Sequence, residues 1–112
     1  MICIPIAAPS TDAAIEKMER ASHLADLIEL RVDRIAGVDL GRLLEMRRRP
    51  VIVTNRRREE GGDFAGTEAQ RIDLLKQAVT LGAEYVDIEA STESSLRSSL
   101  RKAMAEGSTQ LI

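Results

Sequence analysis

The chain has a single cysteine, a single histidine, three prolines and no tryptophan among its 112 residues. A lone Cys3 excludes an internal disulfide framework and any multi-cysteine metal site. It reads instead as a small apolar filler within a strand, the usual setting of an unpaired cysteine. His23, between Ser22 and Leu24 near a helix end, has no second histidine or cysteine beside it and makes no zinc site; a surface or capping role fits it. Phe64 and Tyr85 are the only aromatics, poor material for stacking on nucleobases. A net charge of −2 provides no global field toward nucleic acid or an anionic membrane. The opening MICIPIAAP lacks the basic n-region and the apolar length of a signal peptide. No run approaches the ~20 apolar residues that a membrane helix needs. The expectation is a cytoplasmic protein with no metal site and with neither nucleic acid nor membrane among its partners.

What is present is the material of an ordinary globular protein: 44% apolar residues, mostly Leu, Ile, Val and Ala, and 30% charged. Residues 1–112 read as a single domain, long enough to hide roughly two-thirds of the unfolded surface. Short β-rich runs alternate with helical periodicity. Ile2 to Ala7 reads as strand one, and Ser10-Thr11-Asp12 offers caps to a helix with Ala14, Ile15, Met18 and Ala21 on one stripe. Ala25 to Asp33 reads as strand two. A short helix over Asp39 to Arg48 is built on Leu40, Leu43, Leu44 and Met46. Pro50 stops it and opens strand three, Val51 to Thr54. Thr67-Glu68-Ala69-Gln70 matches a capping box; the helix behind it repeats Ile72, Leu75, Ala78 and Val79 and stops at Gly82. Glu84 to Ala90 is strand four. A helix with Leu96, Leu100 and Met104 follows and ends at Gly107, and Thr109 to Ile112 opens a fifth strand. Such alternation means parallel strands with crossover helices, either a doubly wound sheet or a barrel. Four β-α units are half of an eightfold barrel.

The placement of charge is the most informative feature. Strand side chains alternate faces, so in strand two Ile28, Leu30 and Val32 share one face and Glu29, Arg31 and Asp33 the other. Parallel sheets are normally buried on both sides, and successive charges there are costly unless they pair with one another and with a ligand. Strand four repeats the pattern, with Val86 and Ile88 opposite Asp87 and Glu89; strand three ends with Thr54 and Arg56 on a common face. All gather toward the C-terminal ends of their strands, where α/β folds place active sites. Arginines grip a carboxylate bidentately and carboxylates accept hydroxyl protons, a combination suited to a small polyhydroxylated acid. The plain alternative is an amphipathic strand facing solvent at a sheet edge.

Asn55 to Gly66 is too long and polar for a tight βα turn, and reads as a substrate loop or lid, or as a solvated mobile loop. Gly61-Gly62 suits a hinge or the approach of backbone amides to an anion; without a following Lys and Ser or Thr it is no P-loop. The basic runs Arg47–Arg49 and Arg56–Arg58 do not mark a nucleic-acid surface: the first lies at a helix end, where cations favour the dipole, and the second is offset by Glu59 and Glu60.

The segments ADLIELRVDRI, PVIVTNRRREEGG and GAEYVDIE, in this order and spacing, resemble the consecutive signatures of type I 3-dehydroquinate dehydratases across almost the whole chain. The resemblance implies a (β/α)8 barrel of TIM type, of which these residues would be the N-terminal half. It also implies the conversion of 3-dehydroquinate to 3-dehydroshikimate in the shikimate pathway without metal or dissociable cofactor. By the same resemblance Glu29, Arg31 and Arg56 bind substrate, and Glu60 and Asp87 lie near the site; strand alternation adds Asp33 and Glu89 to the residues near it. One departure is Asn55, where relatives often carry an aromatic. The family's imine-forming lysine and proton-shuttling histidine belong to later strands, so no catalytic residue is expected within this chain. Lys17, Lys76 and Lys102 lie on helices and His23 in another unit. The chain is thus expected to be a truncated, inactive form of the lyase, with two rivals. One is a half-barrel module that completes its sheet as a homo-oligomer or with the missing half. The other is a different imine-forming, aldolase-like barrel.

Overall fold

The β-branched and leucine-rich runs pair side by side in the order in which they occur. In the computed structural model, which describes residues 1–112, β1 (Cys3–Ala8), β2 (Leu27–Ile35), β3 (Val51–Thr54), β4 (Tyr85–Asp87) and β5 (Gln110–Leu111) form one parallel sheet in the order β1-β2-β3-β4-β5. Between successive strands run α1 (Thr11–Ala21), α2 (Leu40–Glu45), α3 (Glu68–Thr80) and α4 (Ser94–Met104). A doubly wound sheet reverses its strand order at a switch point. This sheet has no reversal, and crossovers of one hand then bring every helix to the same face, as in a barrel wall. Of the two architectures open to the sequence, the strand order selects the barrel type.

The core lies between that face and the helices. Ile28, Leu30, Val51, Val53 and Val86 from the strands meet Leu43, Ile72, Leu75, Ala78 and Leu100 from the helices, all fully buried. The opposite face is open. Register places Pro5, Glu29, Ile52, Tyr85 and Gln110 abreast on it, with Arg31, Thr54 and Asp87 abreast one step nearer the C-terminal ends.

Local signals act where the sequence puts them. The Ser10 hydroxyl caps α1, the Asp39 carboxylate caps α2, and Thr67 and Gln70 bond each other's backbone amides at 2.8 and 3.1 Å at the start of α3. Gly82 follows α3 at φ +85°, a conformation that L side chains resist. The basic run at 47–49 lies at the N-terminal end of the sheet and serves helix ends. Arg47 donates to the carbonyls of Leu44 and Gly82, and Arg49 to those of Ser22 and Ala25.

Some expectations move. β2 runs two residues later than its hydrophobic pattern suggested, through Ile35, and β4 is shorter, because its pairing with β3 stops at Asp87. α2 ends at Glu45, leaving Met46 exposed beyond it. Cys3 is no buried filler: alternation turns it, like Pro5, onto the open face, where it is exposed. Its thiol is pushed above the usual range by partial desolvation and by the charge of Glu29. His23 is exposed in the turn after α1. No helix is long and apolar enough to cross a membrane.

Candidate substrate-binding site

β2 is flanked on both sides, by β1 and β3, so its charged face is not that of a solvated edge strand. Glu29 and Arg31 are half-buried on the open face, the Asp33 carboxylate beside them is covered, and Ile28, Leu30 and Val32 are buried behind them. Arg31 clasps Asp33 through Nε at 3.1 Å and Nη2 at 2.9 Å. Asp33 also accepts the Asp63 amide at 3.1 Å. Desolvation pushes the Asp33 carboxyl up, but the Arg31 fork and the amides of Asp63 and Arg56 outweigh it and hold the group below the usual carboxylate range. The same fork raises Arg31.

The next strand continues the cluster. Thr54, 1% exposed, donates its hydroxyl to Glu29 at 2.8 Å. Glu29 has no cation within ion-pairing distance, so most of its acceptor capacity is not used by the protein. Arg56, just past β3, pairs with Asp87 of β4 through Nη2 and with Glu89 through Nη1 at 3.3 Å. Arg31 commits two of its five N–H groups to Asp33, and Arg56 two to its carboxylates. The remaining donors, beside an unpaired carboxylate, are what a hydroxylated carboxylic acid requires. The structure therefore brings Glu29, Arg31, Asp33, Arg56 and Asp87 together on one face, with Glu89 tucked beneath Arg56. This face is open rather than a closed pocket. Surface depressions lie elsewhere, along α3 at Asp73, Lys76 and Gln77 and beside the β3 loop at Arg57, Glu59 and Phe64.

Glu60 stands apart from this group. It is exposed in the loop after β3, and its Oε1 accepts from Ser91 at 2.9 Å and Arg57 at 3.2 Å; these two bonds hold its carboxyl below the ordinary range. The loop is tied down rather than free. Phe64 pairs with Arg57 in a short parallel bridge, and Arg34 reaches across to the Gly61 carbonyl and to Asp63. The Gly61 and Gly62 amides bond to the Arg58 and Arg57 carbonyls at 3.1 and 2.9 Å, which leaves neither for an anion. Gly62 is required because a Cβ there would collide with the backbone of Arg56, while Gly61 sits at φ +83°.

Sequence reasoning missed Arg71, a fully buried arginine on α3 that reaches Glu89 at 2.7 Å. A signal existed: Arg71, Leu75 and Ala78 fall at helical spacing, which puts a charge on the apolar stripe. Asn55, a departure from the relatives' pattern, is a second such residue. Alternation points it to the helix layer, where it is buried and donates to the Arg71 carbonyl at 3.2 Å. The chain's lysines lie on α1, α3 and α4, and Lys17 bonds the Ala7 carbonyl at 2.7 Å. None stands on the open face.

Comparison with known proteins gives the family and the fold. The family model described as type I 3-dehydroquinase matches residues 2–112. The 3-dehydroquinate dehydratase of Methanocaldococcus jannaschii is 34% identical over 93 residues, covering 83% of this chain and 42% of that protein. That of Desulfotalea psychrophila is 37% identical over 111 residues, covering 99% of this chain and 49% of its own length. The chain thus spans somewhat less than half of these relatives. The fold matches the crystal structure of the type I 3-dehydroquinate dehydratase from Clostridium difficile with a TM-score of 0.88 at 21% identity, over 97% of this chain and 48% of that one.

Proposed function

The chain belongs to the type I 3-dehydroquinase family, and from that membership and the charged face we propose that it carries the substrate-binding half of a 3-dehydroquinate dehydratase site. The observation that carries this reading is the convergence of Glu29, Arg31 and Arg56 on one face at the C-terminal ends of neighbouring strands. In it, Glu29 accepts a substrate hydroxyl proton while Thr54 holds its other oxygen. Arg31, fixed by Asp33, and Arg56, fixed by Asp87 and Glu89, donate to the substrate's oxygens. Because each arginine is already oriented by a carboxylate, little ordering remains for binding to impose.

Elimination of water from 3-dehydroquinate through an imine needs an amine that attacks the ketone and a base that moves the adjacent proton. The residues of this chain bind and orient; Lys17, Lys76, Lys102 and His23 are not on the face that does so, and in this reading they supply neither group. The 112-residue polypeptide alone therefore binds dehydroquinate without forming an imine. Titration calorimetry should show binding that R56M and E29Q each weaken, and borohydride added with dehydroquinate should leave the protein mass unchanged. Equal binding by all three proteins would end the site assignment, and a reduced adduct on a lysine would end the claim that this polypeptide forms no imine.

A second reading has its own observation: β1 and β5 are the outermost strands of a sheet that does not close on itself. Such edges are templates for pairing. Two copies joined there would scatter light as twice the chain mass, whereas a stable single-chain mass at high concentration rules this out.

A further inference from the structure

Arg71 is the most enclosed charged residue of the protein, 0% exposed over backbone and side chain together. A guanidinium has five N–H donors, and each has a partner. Nε and Nη2 take the two oxygens of Glu68, both at 3.0 Å; Nη1 takes the Asn55 carbonyl at 3.0 Å and the Glu89 carboxylate at 2.7 Å; Nη2 also reaches the Thr92 hydroxyl at 3.0 Å. These partners come from the first residue of α3, the residue just past β3 and the segment after β4. Glu89 then accepts from Arg71 with one oxygen and from Arg56 with the other.

Holding α3 against the sheet does not call for a buried charge. Ile72, Leu75 and Ala78 do so with apolar contacts, and a buried ion pair is a weak source of stability compared with well-packed apolar side chains. What the charged fork adds is direction. With all five donors occupied it cannot rotate, so Glu89 is held with its second oxygen toward the open face. There it meets Arg56, which Asp87 holds from the other side.

We propose that Arg71 is a positioning residue that acts through Glu89 to set the orientation of the Arg56 guanidinium on the open face. The consequence for ligand binding rests on the reading of Arg56 given above; the ordering of Arg56 does not.

The test is arginine side-chain NMR on the full chain. Rotation of the Arg56 guanidinium is compared in wild type, R71M and E89Q, with amide spectra establishing that each variant folds. Rotation is expected to be about tenfold faster in both variants, the loss of one charge-assisted hydrogen bond. Should R71M not fold, R71K carries the measurement, because it keeps the buried charge but replaces the five-donor fork with a single ammonium that cannot fix Glu89 in the same way. Wild-type rotation in a folded R71M or R71K, or in E89Q, overturns the proposal. Dehydroquinate titrations then follow the effect to binding: E89Q should weaken the wild-type chain and leave R56M unchanged. Equal losses in both backgrounds would mean that Glu89 acts independently of Arg56, and would also overturn the proposal. If wild type and R56M bind alike, the substrate reading of Arg56 fails, and the rotation data still decide the positioning claim.

Discussion

Thr54 on β3 donates its hydroxyl proton to Glu29 on β2 at 2.8 Å, across two strands that run abreast at this point. It is the only protein hydrogen bond to the Glu29 carboxylate, and it comes from a side chain that is 1% exposed. T54V keeps the shape and removes the donor. We expect it to lower stability by about 1 kcal/mol, the net worth of a single hydrogen bond. It should weaken dehydroquinate binding several-fold, because Glu29 is then free to turn. Urea denaturation and calorimetric titration measure the two effects, and unchanged affinity would mean that Thr54 does not orient Glu29.

Asp33 carries a pH signature. Its folded-state pKa is lowered, because the bonds from Arg31 and two backbone amides exceed the desolvation cost. Its stabilisation is therefore fully present above the ordinary aspartate value of about 3.9 and is lost as the pH falls through the lower folded value. Glu60 and Glu68 are lowered as well, so they contribute with the same sign. D33N should reduce stability at pH 7 by about 1–3 kcal/mol, the cost of unmaking charge-assisted bonds, and should flatten the acid limb of the urea-midpoint profile. A D33N profile parallel to wild type down to pH 2 would place the acid sensitivity elsewhere.

The two loop glycines should respond differently. G62A puts a Cβ into the backbone of Arg56, where no flexible side chain can give way. A loss of about 1–3 kcal/mol is expected from overpacking, with displaced amide shifts at Arg56 and Arg57. G61N keeps the positive φ that asparagine tolerates and meets no neighbour. It should stay near wild-type stability by thermal denaturation.

Cys3 should report on the open face. Exposed beside Glu29, it should react with a thiol reagent in the folded chain, and E29Q should speed alkylation near pH 8 by about fivefold or less, the scale of an exposed charge interaction. Desolvation, the larger cause of the raised thiol, is left unchanged by that substitution. Protection of Cys3 at high protein concentration would favour an assembly that covers this face.

Much of this architecture was legible residue by residue. Alternation in β2 separates Glu29, Arg31 and Asp33 from Ile28, Leu30 and Val32 whatever surrounds it, because successive side chains on a strand point to opposite sides. The caps at Ser10 and Thr67 and the left-handed Gly82 follow from groups within a few positions in sequence. Element ends were less legible. Where β4 stops depends on its partner β3, and Glu89, read as one more strand residue, turns instead to a buried arginine.

Chain chemistry alone determined the β-α alternation, the charged face and its kinship, since each rests on spacing along the polypeptide. Tertiary structure alone decided that the strands run in unbroken order, that Cys3 is exposed, that Gly62 lies against Arg56, and that Arg71 is buried with every donor engaged. Those outcomes depend on groups such as Arg71 and Glu89, 18 positions apart in sequence, and a buried guanidinium is stable only where folding brings enough acceptors around it.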